Sequence, residues 1–375
     1  MLQELSADQF VRLHPLFLAF DHKLSIAAAI EGNNPGRFFV DDIDNPRLAL
    51  GLTVEGYILS GEPDNPTAIA ALGRFLREQI FSGQIYVGDD SYMSLAVYPE
   101  AWEARLPELI PTHEVEKLES YHYLCREVGL DWRERLPDGY KVRRLDRALL
   151  DDPQIVFPEP VGEWKEFEES WWSVDNFLAK GASCCVLHDK EVVSWCVSDC
   201  TAGDRIEVGI ITHPAHRRQG LGAIATAATV ELCLERGFSA VGWHCSVDNS
   251  PSWKTAEKAG FQRERTYEDY YYIYDPVDHL AELGWYYYKR GEYARTVDYY
   301  ARVFAQRDDD PDYYYHLAAS AWALLGDGDR ALDYLQQAAA HGWSNADWTR
   351  QQEEFGILHG RAEWGEILDE MADGV

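Results

Sequence analysis

The chain has 375 residues, 46% of them hydrophobic, which is enough to bury more than one sizeable core and suggests two or three domains. Its 64 acidic against 34 basic residues give a net charge of −30, a surface that repels nucleic acid and anionic lipid outside any local basic patch. No apolar run approaches the ~20 residues that span a bilayer, and residues 1–20 lack a basic stretch leading into a clean apolar core, so we expect a cytoplasmic protein with no membrane partner.

Residues 1–128 begin with a helical pattern and continue with strand patterns at 37–40, 48–53 and 57–60, the Glu55-Gly56 pair suiting a tight hairpin turn. Pro66 can open a helix reaching Phe81, whose apolar face is Ala70, Leu72, Phe75, Leu76 and Ile80. This stretch contains no catalytic constellation and is expected to be an α/β lobe. From 129 to 275, strand and helix patterns alternate, which indicates a mixed α/β sheet. Trp171, Trp172, Phe177 and Leu178 read as one helix, and residues 184–187 and 192–197 as hairpin strands around Asp189-Lys190. The seven cysteines, Cys125, Cys184, Cys185, Cys196, Cys200, Cys233 and Cys245, show neither a disulfide framework nor paired metal spacing, so no metal is expected.

The most informative stretch follows. Ile206, Val208, Ile210 and Ile211 read as a buried strand that Pro214 stops, after which His213-Pro214-Ala215-His216-Arg217-Arg218-Gln219-Gly220-Leu221-Gly222 runs into a small-residue helix ending before Gly237. A loop of this kind opens a helix N-terminus, where unpaired N–H groups and the positive dipole end hold phosphate. Gly220 and Gly222 let the ligand approach the main chain. The glycines also satisfy a dinucleotide fingerprint, Gly220-Leu221-Gly222-Ala223-Ile224-Ala225, but residues 214–219 separate the strand from the first Gly and no acidic residue follows at the required distance. Beyond the helix come another strand at 240–245, Asn249-Ser250-Pro251-Ser252, a short helix at 253–259 and Gly260-Phe261.

From His279 the composition shifts to Tyr- and Ala-rich helices with an internal repeat. Gly284, Tyr287, Gly291, Tyr293 and Tyr300 match Ala319, Trp322, Gly326, Gly328 and Leu335 at an offset of 35 residues, close to the roughly 34 of tetratricopeptide repeats. Thr296 replaces the Ala usual in such repeats. Residues 344–371 would add a capping helical pair.

Arg217-Arg218-Gln219-Gly220-Leu221-Gly222 resembles the Arg/Gln-x-x-Gly-x-Gly/Ala pyrophosphate loop of GCN5-related N-acetyltransferases, and residues 136–274 can be laid on that family nearly throughout. The Asn249-x-x-Ser252 and Ala256-Glu257-Lys258-x-Gly260-Phe261 wording is similar to the subgroup with the zwittermicin-resistance acetyltransferases. The resemblance implies the family's mixed, mostly antiparallel sheet with flanking helices at 129–275, preceded by an α/β lobe at 1–128 that is itself a candidate degenerate copy, and followed by an all-α repeat module at 276–375. It also implies acetyl-CoA as cosubstrate. Ile210, Ile211 and Thr212 would offer main-chain groups to the pantetheine arm, with the Ile211 N–H polarising the thioester carbonyl. Residues Arg218, Gln219, Gly220, Leu221, Gly222 and Ala223, with Arg217 adding charge, would hold the pyrophosphate, and Asn249 and Ser252 would be cofactor-side contacts or helix caps.

Acetyl transfer to an amine needs a neutral nucleophile, a polarised carbonyl and a proton for the leaving thiolate. Glu207, on the strand before the loop, is the base candidate; its bland alternative is a solvent-facing strand carboxylate. The family's usual acid cannot be carried over, because Ala256 occupies the position of its Tyr. Tyr267 and Tyr270 are the leading substitutes, with Tyr271, Ser252 and His244 also in range; a Cys245 nucleophile would have only His244 as base. The expected acceptor is an amine-bearing small molecule or peptide, and the repeats suit a protein partner or self-association. The alternative function is a non-catalytic CoA-binding adaptor whose repeats bind a partner.

Overall fold

Period-two alternation in the first three quarters of the chain is realised as a single 12-stranded mixed sheet. The computed structural model describes residues 1–87, 91–160, 162, 167–308 and 310–373. Its strands are β1 (Gln3–Glu4), β2 (Gly36–Val40), β3 (Leu48–Thr53), β4 (Gly56–Gly61), β5 (Tyr92–Tyr98), β6 (Lys117–Cys125), β7 (Tyr140–Arg144), β8 (Ser183–His188), β9 (Glu191–Ala202), β10 (Arg205–Thr212), β11 (Ala240–Ser246) and β12 (Gln262–Ile273). They lie in the order β1-β2-β3-β4-β5-β12-β6-β11-β10-β9-β8-β7.

The chain divides into two compact units, Met1–Pro111 with Val115–Tyr271 and Thr112–Glu114 with Tyr272–Val375. In the first unit, both halves of the sheet repeat one topology. Strands β2, β3 and β4 form an antiparallel meander and β4 then pairs in parallel with β5; β8, β9 and β10 do the same before β10 pairs in parallel with β11. Each parallel step requires a crossover helix.

Helix α1 (Leu24–Ile30) precedes the first meander and α2 (Pro66–Phe75) makes the first crossover, widening into a π-type turn at Leu76–Ile80. The expected single Trp-bearing helix is instead two, α3 (Phe167–Trp171) and α4 (Val174–Lys180). Trp172 between them takes φ 61° and is exposed, and Ser173 caps α4 by accepting from the Asn176 N–H. Helix α5 (Leu221–Glu235) makes the second crossover, and α6 (Ser250–Ala259) lies between β11 and β12.

Alternation decides what each strand residue meets. Cys184, Val186, Cys196, Ile206, Val208, Val241, Trp243 and Tyr123 pack with α5 in one core, while Cys185, Leu187, Trp195 and Val197 pack with Trp171 and Phe177 in another on the opposite face. All seven cysteines are free. Helix α1 covers the same opposite face through Leu24 and Ala28 against Cys200 and Ala202.

The second unit is helical: α7 (Pro276–Lys289), α8 (Tyr293–Phe304), α9 (Asp312–Leu324), α10 (Gly328–Ala340), α11 (Ala346–Gln351) and α12 (Ala362–Asp373). Helices α8 and α10 begin 35 positions apart, matching the sequence repeat. The repeat's small positions serve close packing: a Cβ on Gly284 would meet Tyr300 at 3.1 Å, and its counterpart Ala319 is fully buried. Among the described residues no helix is long and apolar enough to cross a membrane.

Candidate active site

Three neighbouring strands aim polar side chains at the face opposite α5. His122 on β6 stands directly across from His244 on β11, and Glu207 on β10 across from Gly242 on β11, so the three side chains converge. The imidazoles stack with centroids 4.6 Å apart and planes 16° apart. The Glu207 Oε1 atom lies 3.7 Å from the Nε2 of each. Gly242 makes this possible, because a Cβ there would sit 2.1 Å from Glu207 Oε2.

Glu207 is therefore no solvent-facing carboxylate; it is 3% exposed. Burial opposes its ionisation, but His244 and His122 outweigh burial and hold its pKa below the ordinary carboxylate value. For His244 the balance is reciprocal: burial disfavours the imidazolium, Glu207 favours it more, and its pKa is raised. The donor atoms of His122, Glu207 and His244 all lie within 4.8 Å of one another, a spacing a metal could bridge. The near-parallel rings keep their in-plane lone pairs from meeting at one point.

The predicted acid candidates separate. Tyr267 shares a 3.0 Å hydrogen bond with His244 Nδ1, and burial pushes its pKa up to about 12. Tyr270, an odd number of residues further along β12, faces the other side, with Lys117 Nζ 5.7 Å from its ring and its pKa raised by burial and then by Glu103. Tyr271 packs against Tyr92 with the ring planes tilted by 34°. Neither belongs to the cluster.

Three further groups complete a cavity of about 170 Å³ whose lining includes Lys23, Glu55, Asp199, Glu207, His244 and Tyr267. Lys23, just before α1, sits 4.4 Å from the Tyr267 ring centroid and pairs with Asp269 at 2.5 Å. Burial opposes the ammonium, yet Asp269, Tyr267 and Glu55 leave its pKa raised. Removing one partner of so buried a pair costs about 3–5 kcal/mol. Glu55 occupies the β3–β4 turn. Asp199 is the extra residue of a β-bulge, since Glu207 pairs with Cys200 and Val208 with Ser198, and a bulge re-aims the side chain it carries. Asn34 pins that bulge, donating to the Asp199 carbonyl and accepting from the Thr201 N–H. Sequence reasoning missed Lys23, Glu55, His122 and Asp199; only His122 left a signal, as the polar member of Tyr121-His122-Tyr123.

Beside the cluster, β10 and β11 pair only from Arg205↔Ala240 to Glu207↔Gly242, leaving residues 208–212 with an open edge. Register fixes which groups face it. The His213 N–H donates to the Val193 carbonyl and the Ser198 N–H to Ala182, so antiparallel alternation turns Ile211 toward Trp195 on β9 and turns Val208, Ile210 and Thr212 to the open edge. The expected role of the Ile211 N–H as carbonyl polariser is thus corrected: that group is spent inside the sheet, and its neighbours Ile210 and Thr212 are the available donors.

The open edge leads to the loop. Arg217, Arg218, Gln219 and Gly220 are exposed, and Gly220 begins α5 at φ 83° with no side-chain cap, which leaves the first-turn N–H groups to a ligand. Arg218 also takes a positive φ of 64°; Arg217 donates to the Thr212 carbonyl. Gln219 accepts from the Tyr140 hydroxyl. A Cβ on Gly222 would touch Thr212 and Thr255 at 3.4 Å, whereas Leu221 and Ala223 are buried. Asn249 caps α6 by accepting from the Ser252 N–H, and the Ser252 hydroxyl accepts from Trp243; Ala256 is fully buried in the α5 core.

A splayed parallel strand pair, an uncapped helix N-terminus and a buried carboxylate on the sheet face opposite that helix are compatible with an acyltransferase. The GNAT acetyltransferase family profile matches residues 14–270, and the chain belongs to that family of acetyltransferases, whose members use acetyl-CoA. The match includes most of the first lobe. The uncharacterized N-acetyltransferase YdfB of Bacillus subtilis (strain 168) is 24% identical over 272 residues, 72% of this chain and 98% of its own. A crystal structure of a GCN5-related N-acetyltransferase-like protein from Streptococcus suis 89/1591 shares the fold at TM-score 0.52 and 24% identity, over 70% of this chain and 98% of that one.

Proposed function

We propose that the protein transfers the acetyl group of acetyl-CoA directly to a primary amine held in the Glu207 cavity. The observation that carries this reading is the juxtaposition of the open β10 edge with a buried, histidine-flanked carboxylate. Main-chain N–H groups of α5's first turn, beginning near Gly220, bind the pyrophosphate, with Arg218 adding charge, and the Ile210 and Thr212 edge receives the pantetheine arm. Glu207 accepts the amine proton; the amine nitrogen attacks the thioester carbonyl, and collapse of the tetrahedral adduct breaks the C–S bond. Tyr267 is the acid for the departing thiolate, and His244, bonded to Tyr267 and next to Glu207, links the two proton sites. Support for Tyr267 over Tyr270 comes from the sheet face each occupies.

The first lobe, on this reading, is a degenerate copy of the acetyltransferase fold, as its repeated meander-and-crossover topology suggests. The helical hairpins of the second unit, spaced like tetratricopeptide repeats, serve a protein partner or self-association. The acceptor is a small molecule, as the zwittermicin-resistance resemblance suggests, or a peptide. Thiol release from acetyl-CoA across a panel of amines tests the reading; CoA binding with no thiol release from any amine would favour a CoA-binding adaptor instead.

A further inference from the structure

Three carboxyl groups line the cavity, yet its cation is already committed. Lys23 is held by Asp269 and shared with Glu55, and His244 serves Glu207, so Glu55, Asp199 and Glu207 have no further lysine or arginine among the cavity-lining residues. Glu207 Oε2 and Glu55 Oε2 are buried with no hydrogen-bond partner among the described residues. Such orphaned acceptors are costly unless a ligand satisfies them. Glu207 has a role as base for the reacting amine. Glu55, presented by the β3–β4 turn, and Asp199, turned inward by its bulge, have none in acetyl transfer.

Building on the acetyltransferase reading, we propose that Glu55 and Asp199 form a second cation subsite, and that the preferred acceptor is a small diamine whose distal ammonium sits there while its other nitrogen reacts beside Glu207. Burial, reinforced by Glu207, raises the pKa of Glu55 although His244 and Lys23 pull it down, and burial with repulsion from Glu55 and Glu207 raises that of Asp199; a bound cation reverses that cost. A cavity of about 170 Å³ exceeds many times the roughly 15 Å³ a single water needs, so it accommodates a chain of several heavy atoms. A monoamine leaves the second pair of carboxyls unmatched. The subsite also gives the first lobe a direct part in acceptor choice, since Glu55 belongs to it and Asn34 pins the Asp199 bulge.

The test compares a four-carbon alkane diamine with the monoamine of equal length on the full chain, by calorimetry with CoA present and by thiol release from acetyl-CoA. The diamine is expected to bind and react at least tenfold better, and Glu55→Gln and Asp199→Asn are each expected to reduce that preference to near threefold or less. Retained acetyl-CoA affinity shows that either variant is folded. Equal binding of the two amines by the wild type, or a preference that survives both substitutions, overturns the subsite. Preferential diamine binding without thiol release would support the subsite and instead overturn acetyl transfer to such amines, so the two readings fail separately.

Discussion

Two parallel crossovers are built into one sheet, and their helix N-termini are finished in opposite ways. At α2 the Asn65 side chain accepts from the Thr67 and Ala68 N–H groups, Pro66 contributes no N–H, and Glu62 and Asp64 precede them; the helix end is satisfied internally and surrounded by negative charge. At α5 Gly220 supplies no side chain, the loop is exposed, and Arg217 and Arg218 precede it. The strands differ in the same sense: β4 and β5 stay paired from Tyr57↔Leu95 to Ser60↔Tyr98, whereas β10 and β11 part after Glu207↔Gly242. The same topology thus gives a closed scaffold in one half and a bare, basic helix end beside an open edge in the other. Function lives in these local terminations and not in the fold they share.

The sharpest way to break the contrast is to close the open end. Gly220→Asp together with Gly222→Asp is expected to abolish CoA binding in calorimetry, because two carboxylates would occupy and repel the phosphate position. The left-handed backbone at Gly220 adds strain of about 1–2 kcal/mol, and a Cβ there meets nothing within 4 Å, so the fold should persist by circular dichroism. Unchanged CoA affinity would refute the cradle.

How much of this was legible follows from what each feature depends on. The strand-loop-helix at 205–235 and the helical repeat were readable because their signals are local: period-two alternation, Pro214, the glycines, a 35-residue offset. Glu207 stood out for the same reason. The cavity did not, because His122 reaches Glu207 only through strand order, with β6 inserted between β12 and β11. Lys23 and Glu55 come from elements far away in sequence, and Asp199 depends on a bulge that alternation does not announce. Tyr267 and Tyr270 looked equivalent because composition does not reveal which face a bulged strand presents; β12 shifts register between Arg263 and Arg265. The Trp171-Trp172 helix failed at one left-handed residue.

Within the open half, the next largest effect belongs to the proposed base. Glu207→Gln should lower turnover about a hundredfold or more while sparing acetyl-CoA affinity, with the loss greatest at low pH, where more amine must be deprotonated on the enzyme. A wild-type rate across roughly pH 6 to 9 would remove Glu207 from the mechanism. His244→Asn gives a subtler readout. With the imidazole gone, burial of Glu207 has less to oppose it, so the Glu207 pKa rises and the acid limb of kcat/KM moves to higher pH. An unmoved limb would mean that another group titrates there.

The smallest effect sharpens the comparison from the closed side. Asn65→Ala removes the side chain that satisfies the Thr67 and Ala68 N–H groups, and loss of such a cap costs about 1 kcal/mol of stability. The second and third N–H groups of α2 then become as bare as those of α5, but Pro66 still blocks the first, Glu62 and Asp64 remain nearby, and β4 and β5 stay paired. Thermal unfolding should register the loss as a shift of a few degrees or less. CoA stoichiometry by calorimetry should stay at its wild-type value. A second CoA equivalent bound by the variant would show that a bare helix end on this topology suffices for binding, and that the splayed strands and basic loop of the other half are not required.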